Sequence, residues 1–130
     1  MFNCGDCRVY SIEDGVLTKI THDHSVVQEL CDKGVISEEE ARTDSRRNRL
    51  TAALKAGKIS VNLKCRRLEI ASAKRFLICC DGVWQTLPRE ELGHFIAAKP
   101  IADAAEILYD ELIKTECEDN ISFILLETED

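Results

Sequence analysis

The sequence predicts an α+β fold whose sheet is largely antiparallel, and two observations favour this class. The β-prone segments cluster along the chain and do not alternate strictly with helices. The first two of these segments are joined through an Asp-Gly pair, which is typical of an antiparallel hairpin. The 130 residues suffice for a domain with a hydrophobic core, and we therefore expect a single domain over 1–130.

Strands are predicted where β-prone apolar runs are bounded by turn residues. The hairpin comprises 8–12 and 16–20, because Gly15 accepts the positive φ that a tight turn requires. The run RFLICC over 75–80 is the most apolar strand and ends at a turn, Asp81–Gly82. The remaining strands are predicted over 59–63, 67–71 and 121–127.

Two serines mark the start of the first two helices. Ser25 and Ser37 stand at N-cap positions, and Gln28 and Glu40 follow each of them by three residues, as in a capping box. Gly34 is expected to end the first helix. The first helix carries apolar residues on one side, and the second is predicted to be short and polar.

Two prolines mark the start of the later helices. Pro88 precedes a helix predicted over 89–98, and Pro100 opens a second one, since proline is favoured in the first turn. Apolar residues recur in the second helix at helical spacing. They are Ile101, Ala104, Ala105, Leu108 and Leu112.

Charge and cysteine content restrict the partners and the compartment. A net charge of −7 argues against a nucleic-acid or an anionic membrane partner. We find no apolar run long enough to cross a bilayer and no signal peptide before the first motif. Seven cysteines, an odd number, do not suggest a disulfide framework. The sequence therefore predicts a cytoplasmic protein with mostly buried, free thiols.

Cys4 and Cys7 form a C-x-x-C pair that precedes two histidines. Cysteine and histidine bind zinc in tetrahedral sites, so a zinc site is one interpretation. However, only one residue separates His22 from His24, which is too short for the usual spacing. A strand follows the cysteines, whereas a redox pair needs a helix N-terminus. We favour thiols that only fill space.

Three aspartates stand at predicted strand boundaries. Asp6 and Asp119 precede strands, and Asp81 follows one. Carboxylates at such edges can meet in one cleft and bind Mg²⁺ or Mn²⁺. Aspartate before glycine or asparagine is also common in ordinary turns, and spacing alone favours this second interpretation.

Four segments resemble, in order, the motifs of metal-dependent type 2C (PPM-type) protein serine/threonine phosphatases of the bacterial kind. Residues 2–30 resemble "N-x-GDSR-x-Y…L-T-x-DHS", and 38–54 resemble "EEAR…RRN-x-LT-x-AL". FLICCDGVWQTL at 76–87 is similar to "LLLCSDGLWD-x-L", and CEDNISFILLE at 117–127 is similar to "x-DNITVVLV". The resemblance implies a partial phosphatase 2C-like β-sandwich, corresponding to the C-terminal half of that domain.

The resemblance implies roles for individual residues. Asp81 and Asp119 match metal ligands of a binuclear Mn²⁺ or Mg²⁺ site, and Asp6 matches an aspartate that helps to hold a further, weaker metal. Gly82 matches the backbone bend beside the metal, and Asn120 is expected to orient the loop of Asp119. The family hydrolyses phosphoserine and phosphothreonine in phosphoprotein substrates by means of a metal-activated water.

The segment 25–48 corresponds to the helical flap of the family, which lies beside the active site. Arg46 and Arg47 in this segment are therefore candidates for substrate contacts. A solvated basic face explains the same residues equally well.

The chain also departs from the family pattern. Cys7 and Cys80 stand where the family has serine, and Gln85 replaces the aspartate of "GLWD". The chain contains no "DG-x-GG" motif, whose aspartate bridges the two metals in the family. We therefore expect an N-terminally truncated domain that cannot complete the binuclear site alone.

Two functions remain open at this point. In the first, the chain is part of a phosphoprotein phosphatase and a companion chain supplies the missing half. In the second, the chain is a non-catalytic phosphatase-like module that acts by binding another protein.

Overall fold

The computed structural model describes residues 1–54, 56–57, 65, 67, 75–97 and 100–128. The strands predicted over 59–63 and 67–71 lie outside these residues, apart from Arg67. The elements described are, in chain order, β1 (Arg8–Glu13), β2 (Val16–Lys19), α1 (Val26–Asp32), α2 (Glu38–Thr43), β3 (Arg75–Cys79), α3 (Asp81–Thr86), α4 (Arg89–Ala97), α5 (Ile101–Lys114) and β4 (Phe123–Glu127).

The chain divides into two compact units. The helical unit comprises Met1–Cys7 and His22–Arg67 and contains α1 and α2. The sheet unit comprises Arg8–Thr21 and Leu68–Asp130 and contains the remaining elements.

The sheet unit is built on a four-stranded sheet in the order β2-β1-β3-β4. Every neighbouring pair is antiparallel, which confirms the predicted class. The β1–β2 turn places Asp14 at φ 47° and Gly15 at φ 81°. Positive φ at both central residues matches the twist of a tight hairpin, and the hairpin prediction is therefore confirmed.

The core of the sheet unit lies between one face of the sheet and the helices α3, α4 and α5. Strand residues that point to this face alternate along β1 and β3, as the pleat requires. Helix α4 approaches the hairpin so closely that a Cβ on Gly93 would stand 2.6 Å from the carbonyl oxygen of Gly15. The fully buried core side chains include Tyr10, Leu77, Val83, Leu92, Ile96, Leu108 and Leu112.

The edge strand β4 presents two different faces. Phe123 and Leu125 pack against the core, whereas Ile124 and Leu126 on the opposite face are 54% and 48% exposed. The alternation follows from the two-residue period of a strand. The sheet unit therefore has an apolar strip on its outer face at this edge.

The helical unit confirms serine as the N-cap of both helices and confirms the capping box predicted at α2. The Ser25 hydroxyl accepts the backbone N–H of Gln28 at 3.3 Å, and the Gln28 side chain donates to Asp32 further along α1. At α2 the capping box is complete: Ser37 accepts from the amide of Glu40 at 3.1 Å, and the Glu40 carboxylate accepts from the amide of Ser37 at 2.7 Å. The backbone hydrogen bond from Ser37 lowers the pKa of Glu40.

The structure corrects the sequence prediction at Asp81–Gly82, which we expected to form a turn. Helix α3 begins at Asp81, directly after an extended Cys80. Burial of Val83 and Trp84 in the core stabilises this short helix. Tertiary packing therefore outweighs the turn preference of the Asp-Gly pair.

Within the part of the chain that the structure describes, we find no helix both long enough and apolar enough to span a membrane.

Candidate metal centre

Asp81 lies at the junction of β3 and α3, at the end of the most apolar strand. Its side chain is half-buried, and its Oδ1 accepts the backbone N–H of Gly82 at 3.1 Å. The helix N-terminus beside it favours a negative charge. The carboxylate is therefore kept at a fixed place on the rim of the sheet.

Asp119 lies on the loop between α5 and β4, which returns the chain to the same sheet. Its Oδ1 accepts the backbone N–H of Asn120 at 2.7 Å, and both residues are exposed. Asp81 and Asp119 thus share one geometry, in which the carboxylate accepts the next residue's amide at the boundary of a strand.

The first turn of helix α3, which holds Asp81, and the loop that holds Asp119 are in direct contact, and we call them the two aspartate turns. The amide of Cys80 donates to the carbonyl of Ser122 at 3.0 Å, which extends the β3–β4 pairing into the turns. A Cβ on Gly82 would overlap the carbonyl oxygen of Asn120 and stand 3.5 Å from the Cβ of Asp119. Only glycine permits this approach, so Gly82 has a steric reason to be there.

Only Cys79 of the seven cysteines is buried, so the prediction of mostly buried thiols is wrong. Two of the others, Cys80 and Cys117, connect the same two turns. The thiol of Cys80 donates to the carbonyl of Asn120 at 3.2 Å, and the amide of Ser122 donates to the Cys80 Sγ at 3.2 Å. The thiol of Cys117 donates to the carbonyl of Gly82 at 3.2 Å. Sequence reasoning missed these contacts, although both cysteines stand within two residues of an aspartate.

The donor set at this place suits a hard divalent cation but is small. Carboxylate oxygens are the ligands that Mg²⁺ and Mn²⁺ prefer. Within the described residues, no group of three or more His, Cys, Asp or Glu side chains is arranged to hold a metal. Two adjacent aspartate turns therefore fit part of a metal centre and lack the further carboxylates of a complete one.

Asp6 lies in the helical unit, on a turn that His24 holds. Gly5 adopts φ 100°, and its amide donates to the His24 Nδ1 at 3.3 Å. The amide of His24 donates back to the carbonyl of Gly5 at 2.9 Å. His22 instead bonds to the Asp32 carboxylate at 2.9 Å, so the two histidines have separate roles. The zinc interpretation of this segment thus has no support in its contacts.

Arg46 in the flap segment is engaged by a carboxylate of the same segment. Its guanidinium donates two hydrogen bonds to Asp44, at 2.8 and 2.7 Å, and its amide donates a third at 2.8 Å. These hydrogen bonds hold the pKa of Asp44 well below its usual range and raise the pKa of Arg46. The amide of Arg47 donates to the carbonyl of Asp44 at 3.0 Å. The arginines are therefore preorganised by Asp44.

Comparison with known proteins gives a consistent result. A serine/threonine phosphatase (stp) of Listeria monocytogenes is 32% identical over 127 residues, covering 96% of this chain and 50% of that protein. The serine/threonine protein phosphatase PstP of Mycobacterium tuberculosis is 29% identical over 130 residues, covering all of this chain and 25% of that protein. No protein-family model matches the chain.

Solved structures agree with this result. The serine/threonine phosphatase Stp1 of Staphylococcus aureus superposes with a TM-score of 0.87 at 30% identity, covering 99% of this chain and 51% of that one. The catalytic domain of PstP in complex with two manganese ions gives a TM-score of 0.76 at 29% identity, covering 95% of this chain and 50% of that one.

The antiparallel sheet and its flanking helices match the fold of phosphatase 2C-like structures. Along nearly its whole length the chain is similar to part of bacterial serine/threonine phosphatases, and a matching solved structure is a PPM Ser-Thr phosphatase of Mycobacterium smegmatis, which confirms the resemblance. It spans about half the length of the Listeria proteins that it matches, and a quarter of the mycobacterial ones.

Proposed function

We propose that the chain supplies part of the active site of a Mn²⁺- or Mg²⁺-dependent phosphoprotein phosphatase. The contact between the turns of Asp81 and Asp119 is the observation that carries this proposal, because it brings two hard ligands to one place. The similarity to phosphatases, one of which was solved with two manganese ions, supports the same conclusion.

Each residue in this proposal has one task. Bound Mn²⁺ or Mg²⁺ would supply a water that is nucleophilic near neutral pH and would neutralise charge on the phosphoryl group. Asp81 and Asp119 hold the metal, and Gly82 allows their turns to meet. Asn120 fixes the Asp119 carboxylate through its backbone N–H. Asp6 helps to bind a further, weaker metal.

The flap arginines would recognise the phosphorylated substrate. The planar guanidinium of Arg46 donates two hydrogen bonds to the carboxylate of Asp44. A phosphoryl group can accept the same pair of hydrogen bonds. A phosphoserine or phosphothreonine would therefore compete with Asp44 for Arg46, and Arg47 follows it directly in the chain.

The metal centre is completed by a further polypeptide segment, which we propose corresponds to the half of the relatives that this chain does not match. The small donor set of the described residues and the lack of a "DG-x-GG" motif in this sequence support this view. In the proposal, that segment contributes the bridging carboxylate.

The test is Mn²⁺-dependent hydrolysis of p-nitrophenyl phosphate by the chain alone and by the chain mixed with the unmatched half of the Listeria phosphatase. We expect no hydrolysis by the chain alone and measurable hydrolysis by the mixture. Asp81→Asn and Asp119→Asn should each lower the rate at least about 100-fold, because mutating a residue that only hydrogen-bonds to a metal ligand already lowers metal affinity or activity about 10–100-fold.

The matched control is Asp103→Asn, which removes an exposed carboxylate from the first turn of α5. This variant should retain its rate. Equal loss in all three variants, or hydrolysis that does not depend on Mn²⁺, would contradict the proposed function.

A second candidate function is a non-catalytic module that binds another protein. The exposed apolar strip of Ile124 and Leu126 favours it, because exposed apolar patches often mark interaction surfaces. Hydrolysis by the mixture that Asp81→Asn abolishes would exclude this candidate.

A further inference from the structure

The two thiols beside the aspartate turns are arranged reciprocally. Cys80 precedes Asp81 and contacts Asn120, which follows Asp119. Cys117 precedes Asp119 by two residues and contacts Gly82, which follows Asp81. Each turn therefore reaches across to the backbone of the other through a sulfur atom, and we call Cys80 and Cys117 the thiol clasp.

The Cys80 thiol acts both as a hydrogen-bond donor and as a hydrogen-bond acceptor. Its thiol donates to the Asn120 carbonyl at 3.2 Å, and its sulfur accepts the Ser122 amide at 3.2 Å. Cys80 therefore contacts the loop that follows Asp119 at two points, Asn120 and Ser122. These contacts define where the loop of Asp119 lies relative to Asp81.

The Cys117 side is anchored on α3. Its sulfur lies 3.2 Å from the carbonyl oxygen of Gly82 and 3.1 Å from the hydroxyl of Thr86. The Thr86 hydroxyl in turn contacts the Gly82 carbonyl at 2.6 Å. Cys117, Thr86 and Gly82 thus form a small cluster that ties the end of α5 to the start of α3.

Both clasp thiols are free and half-buried, so a small reagent can reach them. Each thiol already lies 3.2 Å from a carbonyl oxygen, and an added atom on sulfur has to displace that oxygen. Covalent modification therefore separates the turns, whereas a serine hydroxyl at the same place keeps a donor and an acceptor.

We propose that Cys80 and Cys117 are positioning residues that hold the two aspartate turns together, and that peroxide oxidation of either thiol loosens them. The role in metal binding rests on the proposed function. In the oxidation, the thiol gives up its proton as its sulfur attacks one peroxide oxygen, so that an S–O bond forms and the O–O bond breaks. Sulfur is oxidised to the sulfenic acid, peroxide is reduced, and the thiol proton leaves in the water that forms.

The first test is hydrogen–deuterium exchange of the metal-free full chain, read in peptides that contain 80–86 and 117–122. Treatment with hydrogen peroxide should raise exchange in both peptides about fivefold, the effect of losing one marginal contact. Cys80→Ala and Cys117→Ala should raise it similarly without peroxide. The double variant Cys80→Ser/Cys117→Ser should exchange at the rate of the untreated parent, and peroxide should not change its exchange.

Cys31→Ser is the matched control, because Cys31 is also half-buried and bonds to a backbone carbonyl, that of Ser37 in the helical unit. Its exchange in the two peptides should match the parent, and peroxide should still raise it. Unchanged exchange in peroxide-treated parent and in both alanine variants would overturn the thiol clasp.

The second test is Mn²⁺ binding by the chain mixed with the unmatched half of the Listeria phosphatase, measured by electron paramagnetic resonance of the free ion. The alanine variants and the oxidised chain should bind Mn²⁺ about tenfold more weakly than the parent, and the double serine variant should recover most of the affinity. Parent-like Mn²⁺ binding in both alanine variants would contradict a positioning role. If the parent binds no Mn²⁺ in this mixture, the metal ligation of the proposed function fails, while the exchange test still decides the clasp.

Discussion

Two pairs of residues are brought together in opposite ways: Asp81 and Asp119 in the sheet unit, and Asp44 and Arg46 in the helical unit. Asp81 and Asp119 are far apart in the chain and are brought together by backbone approach across the sheet edge. Asp44 and Arg46 are two residues apart and are joined by direct hydrogen bonds. Long-range packing therefore builds the first pair, and short-range side-chain chemistry builds the second.

The largest effect is expected where the long-range approach is tightest. Gly82→Ala places a Cβ against the Asn120 carbonyl and should lower the free energy of unfolding by about 3 kcal/mol. Urea denaturation measures this change. Gly34→Ala is the control in the helical unit: its φ of 68° is strained for alanine but nothing lies within 4 Å, so a loss of about 1 kcal/mol is expected. Equal losses would mean that the approach of the turns carries no steric demand.

A smaller effect is expected from a local cap in the helical unit. Ser37→Ala removes the acceptor for the Glu40 amide and should cost about 1 kcal/mol of helix stability. Amide exchange of α2 measures the loss, and the sheet unit should be unaffected. Ser37→Asp is the matched variant, because aspartate also caps helices and should restore protection. If Ser37→Asp exchanges as fast as Ser37→Ala, the cap is not what stabilises α2.

The smallest effect on stability, but a distinct pH dependence, is expected at Asp44. Because Arg46 lowers the pKa of the folded Asp44, the ionised carboxylate stabilises the fold above its ordinary pKa of 3.8. That contribution is lost as the pH falls below 3.8 through the lower, folded pKa. Carboxyl chemical shifts followed by NMR should show Asp44 still ionised when ordinary aspartates have protonated. Arg46→Gln should return the titration towards 3.8, and an unchanged titration in this variant would exclude the arginine as the cause.

Much of the fold was accessible from the sequence because its signals are local. The Asp14–Gly15 turn, the serine caps of α1 and α2 and the spacing of α5 each depend on residues within a few positions of one another. Helix α3 was missed for the opposite reason. Its six residues start with a turn-prone pair, and only the burial of Val83 and Trp84 stabilises them as a helix.

The candidate site likewise combines features that the sequence indicated with contacts that only the structure shows. The motifs around Asp81 and Asp119 identified the turns through their resemblance to phosphatases, and the structure brings those turns into contact. Asp6 and its metal role remain a prediction, as do the substrate contacts of Arg46 and Arg47. No pattern in the chain indicated that Cys80 and Cys117 connect the turns, since the two residues are 37 positions apart in the sequence.

The sequence by itself determined the antiparallel α+β class and the ends of most helices and strands, because hydrogen bonds and side-chain spacing within one segment decide these features. The acidic residues of the site were singled out by the resemblance of their motifs to those of phosphatases. Only the tertiary structure decided which turns meet, why Gly82 has to lack a side chain and what the thiols contact. Those outcomes depend on how β3 pairs with β4 and how α3 packs on the core, and no single segment contains that information.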